Sequence, residues 1–310
     1  MSTALDNTFG AAFIGVVVSA ILYGITCVQT WFYFSDYEKD GLPMKLLVTA
    51  VLLSDTVHQA LITHTVYTYL VSNFGNPVEL GELVWSLIVE VLFNGFTALM
   101  VQSFLAWRIW KLSNGCIWRT GSVMTLVIGE FVCVVIYVSK GINLQTFAEL
   151  TALKSLSMTV NAVAAAGDVL IAMFLCHLLH GARTGFSRSD SMINRLIVFT
   201  INTGLLTSLC AIASLVSIVA APTTFIYISF YFCLGRLYCN SLLATLNARR
   251  ALRGEAREDM SLSLQRMPNS PSATAALASG KQIAVNVTVD HERDGSDYQV
   301  DYKSSAAEAF

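Results

Sequence analysis

Ionisable side chains lie in the middle of long apolar stretches of this 310-residue sequence. Two places are the most informative: the segment Ser54-Asp55-Thr56-Val57-His58-Gln59 and the single Arg236 in the last apolar stretch. Asp55, His58 and Gln59 are spaced i, i+3 and i+4, which places them on one face of a helix. A carboxyl group beside an imidazole can exchange a proton near neutral pH, or it can hold the ring in one orientation.

Ionisable residues inside a membrane are costly unless they are paired or hydrated, so each is a candidate for function. At about 1.5 Å of rise per residue, all of them fall near the middle of the membrane except Glu90, which lies nearer the outer end. Because Arg236 can offset only one or two carboxylates, the others should be protonated, hydrated or bound to a cation. The ionisable residues well inside the apolar stretches are Asp55, Glu90, Glu130, Asp168 and Arg236.

The pattern leaves the roles of these groups open. Arg236 is a counter-ion for Asp55, Asp168 or Glu90, and it forms either an interhelical ion pair or a site for an anionic ligand. Asp55 and His58 serve structural hydrogen bonding, or ligand binding, or proton coupling. We expect Glu130 to be a lone protonated acid bonded to a backbone carbonyl. The candidate intramembrane polar or ligand site comprises Asp55, His58, Gln59, Glu90, Asn94, Asp168, Arg236 and Asn240.

Several kinds of chemistry are excluded. No set of His, Cys or carboxylate residues has the spacing of metal ligands, so no metal site is predicted. No nucleophile and base form a recognisable pair, and we therefore do not expect an enzyme. The last apolar stretch lacks Lys, which excludes a retinal Schiff base, and no cofactor is predicted. The formal charge of −2 argues against a nucleic-acid-binding protein.

The elements that must position these groups are membrane-spanning helices. The sequence is 55% hydrophobic and 13% charged, whereas about 25% of residues are charged in a soluble domain. Residues 1–247 contain 23 charged residues, and the much shorter segment 248–310 contains 17. The sequence therefore predicts an all-α polytopic membrane domain over residues 1–247, followed by a disordered cytoplasmic tail over residues 248–310.

Seven apolar stretches are long enough to cross a lipid bilayer, which takes roughly 20 residues each. They are helices, because backbone polar groups in lipid must be satisfied within the segment. Lys and Arg number 12 on one side and 2 on the other, which predicts a seven-transmembrane-helix bundle with the N-terminus out and the C-terminus cytoplasmic. The predicted spans are 10–34, 45–70, 83–107, 120–139, 155–179, 196–220 and 224–247.

Small residues recur along one face of the first predicted span. Ala11, Gly15 and Ser19 are four residues apart, and such a stripe lets a neighbouring helix approach closely. We therefore expect the first span to pack tightly against another helix of the same bundle.

Several motifs distributed along the apolar region are distinctive in combination. They include Asp55-Thr56-Val57-His58, Asn73-Phe74-Gly75-Asn76-Pro77, Val101-Gln102-Ser103-Phe104 and Tyr238-Cys239-Asn240-Ser241. Together they resemble a family of seven-span membrane proteins expanded in basidiomycete fungi, whose shared domain has no known function. The similarity covers most of residues 10–250. The resemblance implies a fungal origin and seven spans with a variable polar tail, but it supplies no activity or substrate.

These features predict a receptor-like sensor of a small ligand in the plasma membrane or an endomembrane. The outward N-terminus, the basic inner loops and the mid-membrane polar cluster favour it, and the Ser-bearing tail could bind a cytoplasmic partner. No Asp-Arg-Tyr-like sequence ends the third span, so kinship to known receptors is architectural analogy only. The alternative is a proton- or cation-coupled transporter or channel that uses the mid-membrane charges, although no inverted repeat is evident.

Overall fold

The computed structural model describes residues 6–76, 78–183, 187–221 and 224–265. Within them the regular secondary structure is helical, with turns between the helices and one isolated β-bridge between Glu82 and Thr146. Short helical segments lead into or connect the long helices at Asp6–Gly10, Thr68–Ser72, Glu79–Gly81, Phe147–Leu150 and Thr151–Leu153. The long helices of this part of the chain are α1 (Ala11–Asp36), α2 (Leu42–Tyr67), α3 (Trp85–Leu112), α4 (Ile117–Gly141), α5 (Lys154–Gly181), α6 (Ser187–Ala220) and α7 (Ile226–Gln265).

Six of the described helices are long and apolar enough to cross a membrane, namely α1 to α6 with their helical extensions. The protein therefore has the character of a membrane protein, as predicted. The seventh predicted span falls on α7, whose apolar content is reduced by Arg236 and Asn240. For this helix a membrane crossing stays a prediction.

Local sequence sets the helix ends in the connections. Pro43 occupies the first turn of α2, where its missing N–H costs nothing because the first amides of a helix have no partner within the helix. After α3, Asn114 and Gly115 adopt left-handed backbone angles, with φ of 53° and 80°. The Gly115 amide then donates to the Trp110 carbonyl at 3.0 Å, a reversal that ends the helix and starts the turn to α4.

The bundle has an apolar exterior and buries polar and charged side chains within a mainly apolar core. On α1 the side chains of Phe13, Ile14, Ile21 and Trp31 are exposed, Trp31 by 73%. A soluble protein rarely exposes a continuous apolar surface of this kind, whereas a bilayer solvates it. The buried side chains of the described residues include charged and amide groups such as Asp55, Glu90, Asn94, Gln102 and Arg236.

Helix α7 packs parallel to α1 along its length. Both begin at the end of the bundle that carries the 78–84 and 142–146 connections. That end is called the outer end and the opposite one the inner end, after the orientation predicted from Lys and Arg. Hydrogen bonds join the two segments at successive levels, from Phe225 to Asn7 (3.1 Å), Ser229 to Ala11 (2.6 Å), Asn240 to Leu22 (3.1 Å) and Asn247 to Gln29 (2.8 Å).

The small-residue stripe of α1 faces this neighbour. A Cβ added at Gly15 would lie 2.7 Å from the Ser229 Cα, so the backbones could not keep their spacing. We expect Gly15→Ala to destabilise the protein by about 1–3 kcal/mol, the usual cost of overpacking. Thermal unfolding in a fixed detergent tests this against Gly24→Ala, because a Cβ at Gly24 meets nothing within 4 Å. Equal midpoints for the two variants would contradict the prediction.

The chain divides into two compact units, Met1–Asp259 and Met260–Phe310, and the candidate site lies in the first. Helix α7 continues past Asn247, where the sequence predicted the end of the membrane domain, and reaches Gln265. Residues 266–310, which hold most of the predicted disordered tail and its partner-binding region, lie outside the described residues.

Candidate functional site

Arg236 is fully buried and contacts α1 and α2 from its position on α7. Its guanidinium forms an ion pair with the Asp55 carboxylate, and Nη1 also donates to the Asp55 backbone carbonyl at 2.7 Å. Nε donates to the Ser19 hydroxyl at 2.9 Å. The ring of Tyr23 lies 5.4 Å from the guanidinium carbon, within the range of a cation–π contact. Of the counter-ions that the sequence left open, Asp55 is the one that Arg236 contacts.

The remaining guanidinium nitrogen of Arg236 binds the other two residues of the α2 motif. Nη2 lies 2.9 Å from His58 Nδ1 and donates to Gln59 Oε1 at 3.0 Å. Asp55, His58 and Gln59 thus all meet Arg236, as their shared helix face implied. The Ser19 hydroxyl completes the surroundings, because it also donates to the Gln59 amide oxygen at 3.3 Å.

The protonation state of His58 follows from this contact. A guanidinium has only donors, so His58 Nδ1 must be the acceptor and carries no proton. The proton of the neutral ring is then on Nε2, which lies 2.9 Å from Glu90 Oε2 on α3 and donates to it. Arg236 therefore fixes the tautomer of His58, and His58 links the Arg236–Asp55 pair to Glu90.

Glu90 lies at the edge of a cavity of about 40 Å³, called here the Glu90 cavity. One buried water needs roughly 10–15 Å³ of such space, so this cavity has room for two or three. The residues lining it include Glu90, Tyr137, Leu150, Ser157, Val160, Asn161, Ser214, Tyr227 and Tyr231.

A much larger outer cavity, of about 610 Å³, lies beyond the Glu90 cavity. The two share Tyr137, Leu150, Ser157 and Tyr227 in their linings. Lys154, the first residue of α5, also lines the outer cavity. Three aromatic rings in its lining, Phe9, Phe147 and Phe225, cluster with the ring of Tyr69. They link the N-terminal segment to the short helical segments after α2 and before α5 and to the residue before α7, and adjacent ring centroids are 4.7–5.8 Å apart.

Two predicted site residues, Asn94 and Asn240, join helices instead of lining the network around Arg236. Asn94 donates to the Tyr231 carbonyl at 3.2 Å, and a Cβ added at Gly235 would lie 2.6 Å from its side-chain oxygen. Asn240 donates to the Leu22 carbonyl at 3.1 Å and accepts from Thr26 at 3.2 Å. Asn94 therefore binds α3 to α7, and Asn240 binds α7 to α1.

Asp168 belongs to a second polar cluster. Its carboxylate accepts from Gln102 Nε2 at 3.1 Å and from the Tyr238 hydroxyl at 2.9 Å. The Thr207 hydroxyl of α6 also binds this carboxyl group. Glu130 lies beside Gln102 and close to Asp168, so it is not the lone acid that the sequence predicted. Both acids face α3, where Gln102 provides an amide between them.

Sequence reasoning missed three residues of these clusters. Ser19 was assigned to close packing, although its hydroxyl also accepts from Arg236. Gln102 and Tyr238 carry no charge and lie in apolar helices, so only the position of Tyr238 two residues after Arg236 and of Gln102 on the buried face of α3 could have indicated them. Within the described ranges, no three His, Cys, Asp or Glu side chains lie close enough together to hold a metal ion.

The helices and their apolar surfaces define the class: within the described residues, an all-helical protein with six helices suited to crossing a membrane. Residues 164–251 match a domain described as a family of unknown function, DUF6534. That region contains Asp168, Arg236 and Asn240, whereas Asp55, His58 and Glu90 lie outside it. No curated protein matches the sequence. The fungal origin implied by the resemblance stays a prediction.

Proposed function

We propose that this protein is a receptor-like sensor, in which a small ligand occupies the outer cavity and acts on the network around Arg236. The observation that carries the proposal is the shared lining of the outer cavity and the Glu90 cavity, which includes Tyr137 and Tyr227. A ligand of ordinary size fits, because binding pockets usually measure about 300–1,000 Å³.

We also infer that α7 crosses the membrane, which gives seven spans with an outward N-terminus. Its contacts with α1 begin at Phe225 and Asn7 and continue to Asn247 and Gln29. Since α1 is among the helices suited to crossing a membrane, a parallel neighbour in contact over the same length extends through the same thickness. Burial of Arg236 and the hydrogen bonds of Asn240 to α1 explain how α7 could cross with fewer apolar residues.

The route from the cavities to the helices is short. Glu90 contacts His58, and His58 contacts Arg236. Arg236 in turn bonds to residues of α1 and α2. Any change in the charge or position of Glu90 therefore alters contacts that hold α1, α2, α3 and α7 together. Such a change at the outer half reaches helices that extend to the inner end, as a sensor requires.

The lining of the outer cavity favours an aromatic ligand with an anionic group. Phe9, Phe147 and Phe225 supply apolar ring surface, and Lys154 supplies a half-buried cation. Three probes with one ring and different charges test this chemistry: phenylacetate, 2-phenylethanol and 2-phenylethylamine.

We expect phenylacetate to raise the thermal midpoint of the full chain in nanodiscs most and the amine least, because a ligand that binds the folded state stabilises it. Lys154→Gln should abolish the preference for the acid over the alcohol. Lys140→Gln is the matched control, because Lys140 is an exposed lysine at the same end. A preference that survives Lys154→Gln, or the absence of binding by all three probes, would contradict this choice of ligand.

A separate measurement tests whether ligand binding in the outer cavity affects the inner end of the bundle. Phenylacetate should change hydrogen exchange in the inner connection around residues 37–41, and Glu90→Gln should remove that change while leaving the midpoint shift. Binding of phenylacetate without any change in hydrogen exchange at the inner end would contradict the sensor proposal and indicate a protein that only binds the ligand.

A proton- or cation-coupled transporter is the second candidate, and one observation favours it. A cavity of about 10 Å³ next to Glu130 shares Val160, Asn161 and Tyr231 with the Glu90 cavity. It also shares Tyr238 with a third cavity of about 30 Å³, which extends from Asp168 to Arg108 on the inner side. Small cavities, each with one acidic side chain in its lining (Glu90, Glu130 or Asp168), thus follow one another through the bundle. A voltage-driven proton or cation flux in proteoliposomes would favour transport, and its absence would favour the sensor.

A further inference from the structure

Glu130 and Asp168 form a buried acidic pair, and within the described residues neither carboxyl group has an ion-pair partner. Each of the two residues is 6% exposed, and the Gln102 side chain lies against both carboxyl groups. The groups that bond to Asp168 are the neutral donors Gln102, Tyr238 and Thr207. Two ionised carboxylates sharing one apolar site repel each other, and burial makes each charge still more costly.

A second observation at the same place points to a missing hydrogen-bond donor. Asn161 of α5 is 2% exposed, and its side-chain oxygen has no hydrogen-bond partner. Its Nδ2 donates to the Ser157 carbonyl at 2.9 Å. That carbonyl can only accept, so the orientation of the amide is fixed. The orphaned oxygen belongs to a residue that lines the 10 Å³ cavity together with Glu130. A carboxylic O–H of Glu130, or a water hydrogen-bonded to it, would supply the donor that the Asn161 oxygen lacks.

We propose that Glu130 and Asp168 together bind one exchangeable proton, at a site separate from the network around Arg236. Binding converts one carboxylate of the pair to a carboxylic acid and leaves the pair with a single negative charge. The proposal does not depend on a ligand in the outer cavity.

The surroundings favour a proton over a metal cation. The donors Gln102 and Tyr238 already occupy lone pairs of both Asp168 oxygens. Arg108 lines the 30 Å³ cavity on the inner side of Asp168 and repels an entering cation. Among the described side chains, the titratable or charged groups that face the pair from the packed helices are Arg108 of α3 and Tyr231 and Tyr238 of α7, while α6 contributes the hydroxyl of Thr207.

Infrared spectroscopy of the full chain in nanodiscs tests the proposal, because a protonated carboxyl group has a carbonyl stretch distinct from that of a carboxylate. We expect a carboxylic acid band that disappears as the pH is raised and that shifts on transfer to D₂O, which shows an exchangeable proton. The double variant Glu130→Gln/Asp168→Asn should lose this band. Glu149→Gln, which removes an exposed acid at the outer end, should keep it.

Two further measurements decide the remaining cases. Tyr238→Phe conserves shape and should shift the frequency of the band, so the proposal stays testable if the double variant does not fold. Circular dichroism monitors the helical content of each variant. A band unchanged in the folded double variant, or unchanged in Tyr238→Phe, would overturn the proposal. So would loss of the band at constant pH when sodium replaces N-methylglucamine, since the site would then bind a cation.

Discussion

Arg236→Met should destabilise the protein more than any other single substitution described here, by about 3–5 kcal/mol. The change removes the guanidinium and keeps an apolar stem of similar length. Asp55 would then be a buried carboxylate without its ion-pair partner, and Ser19, His58 and Gln59 would each lose a contact. Denaturation of the purified chain in a fixed detergent measures the loss.

The partner of Arg236 supplies the decisive comparison. If the cost comes from the unpaired carboxylate, Asp55→Leu/Arg236→Met should be more stable than Arg236→Met, because replacing both members of a buried pair removes the stranded charge. Arg119→Met, at the start of α4 and only partly buried, should change stability by less than about 1 kcal/mol. Wild-type stability in Arg236→Met would show that the network does not hold the bundle together.

His58→Leu should have the second largest effect, a loss of about 2–5 kcal/mol. The substitution leaves a donor of Arg236 and an acceptor of Glu90 unsatisfied at buried positions, and each such group costs about 1–3 kcal/mol. Because His58 alone connects these two residues in the observed contacts, the effects of His58→Leu and Glu90→Gln should not add. Denaturation of the two single variants and the double variant measures that coupling.

A second histidine on α2 provides the matched control. His64 is exposed and contacts Ser86 at 2.9 Å, so His64→Leu replaces the same side chain on the same helix outside the network. We expect a loss of less than about 1 kcal/mol. Similar losses at His58 and His64, or strict additivity of His58→Leu and Glu90→Gln, would contradict the role assigned to His58.

Helical periodicity predicted the face of α2 that forms the network, because i, i+3 and i+4 spacing depends only on the helix itself. The depth of each charge followed from residue counting in the same way. The partner of Arg236 could not be predicted, since several acids lie at similar depth. The choice depends on which helices are adjacent: α7 packs against α1, which places Arg236 beside Asp55, whereas Asp168 meets the opposite side of α7 through Tyr238.

The polar cluster around Asp168 and Glu130 could not be predicted from the sequence for a related reason. Glu130 looks isolated along α4, and its neighbour Asp168 is on another helix. Gln102 and Tyr238 gain their importance only because they face those acids. Asn94 and Asn240 bond to backbone carbonyls of neighbouring helices, and their membership of a ligand site stays a prediction. Polar residues within the helices thus form contacts with other helices, and the partner of each depends on which helices are adjacent in the fold.

The contact between Arg236 and Asp55 joins residues 181 positions apart, and this separation matters while the chain is being made. At a synthesis rate of about 5–20 residues per second, Asp55 emerges from the ribosome roughly 10–35 s before Arg236. During that interval α1 and α2 are complete, yet their shared polar face has no cation to bind. Water or a proton must accommodate Asp55 until α7 arrives, so a nascent chain interrupted before residue 236 still holds this carboxyl group without its ion-pair partner.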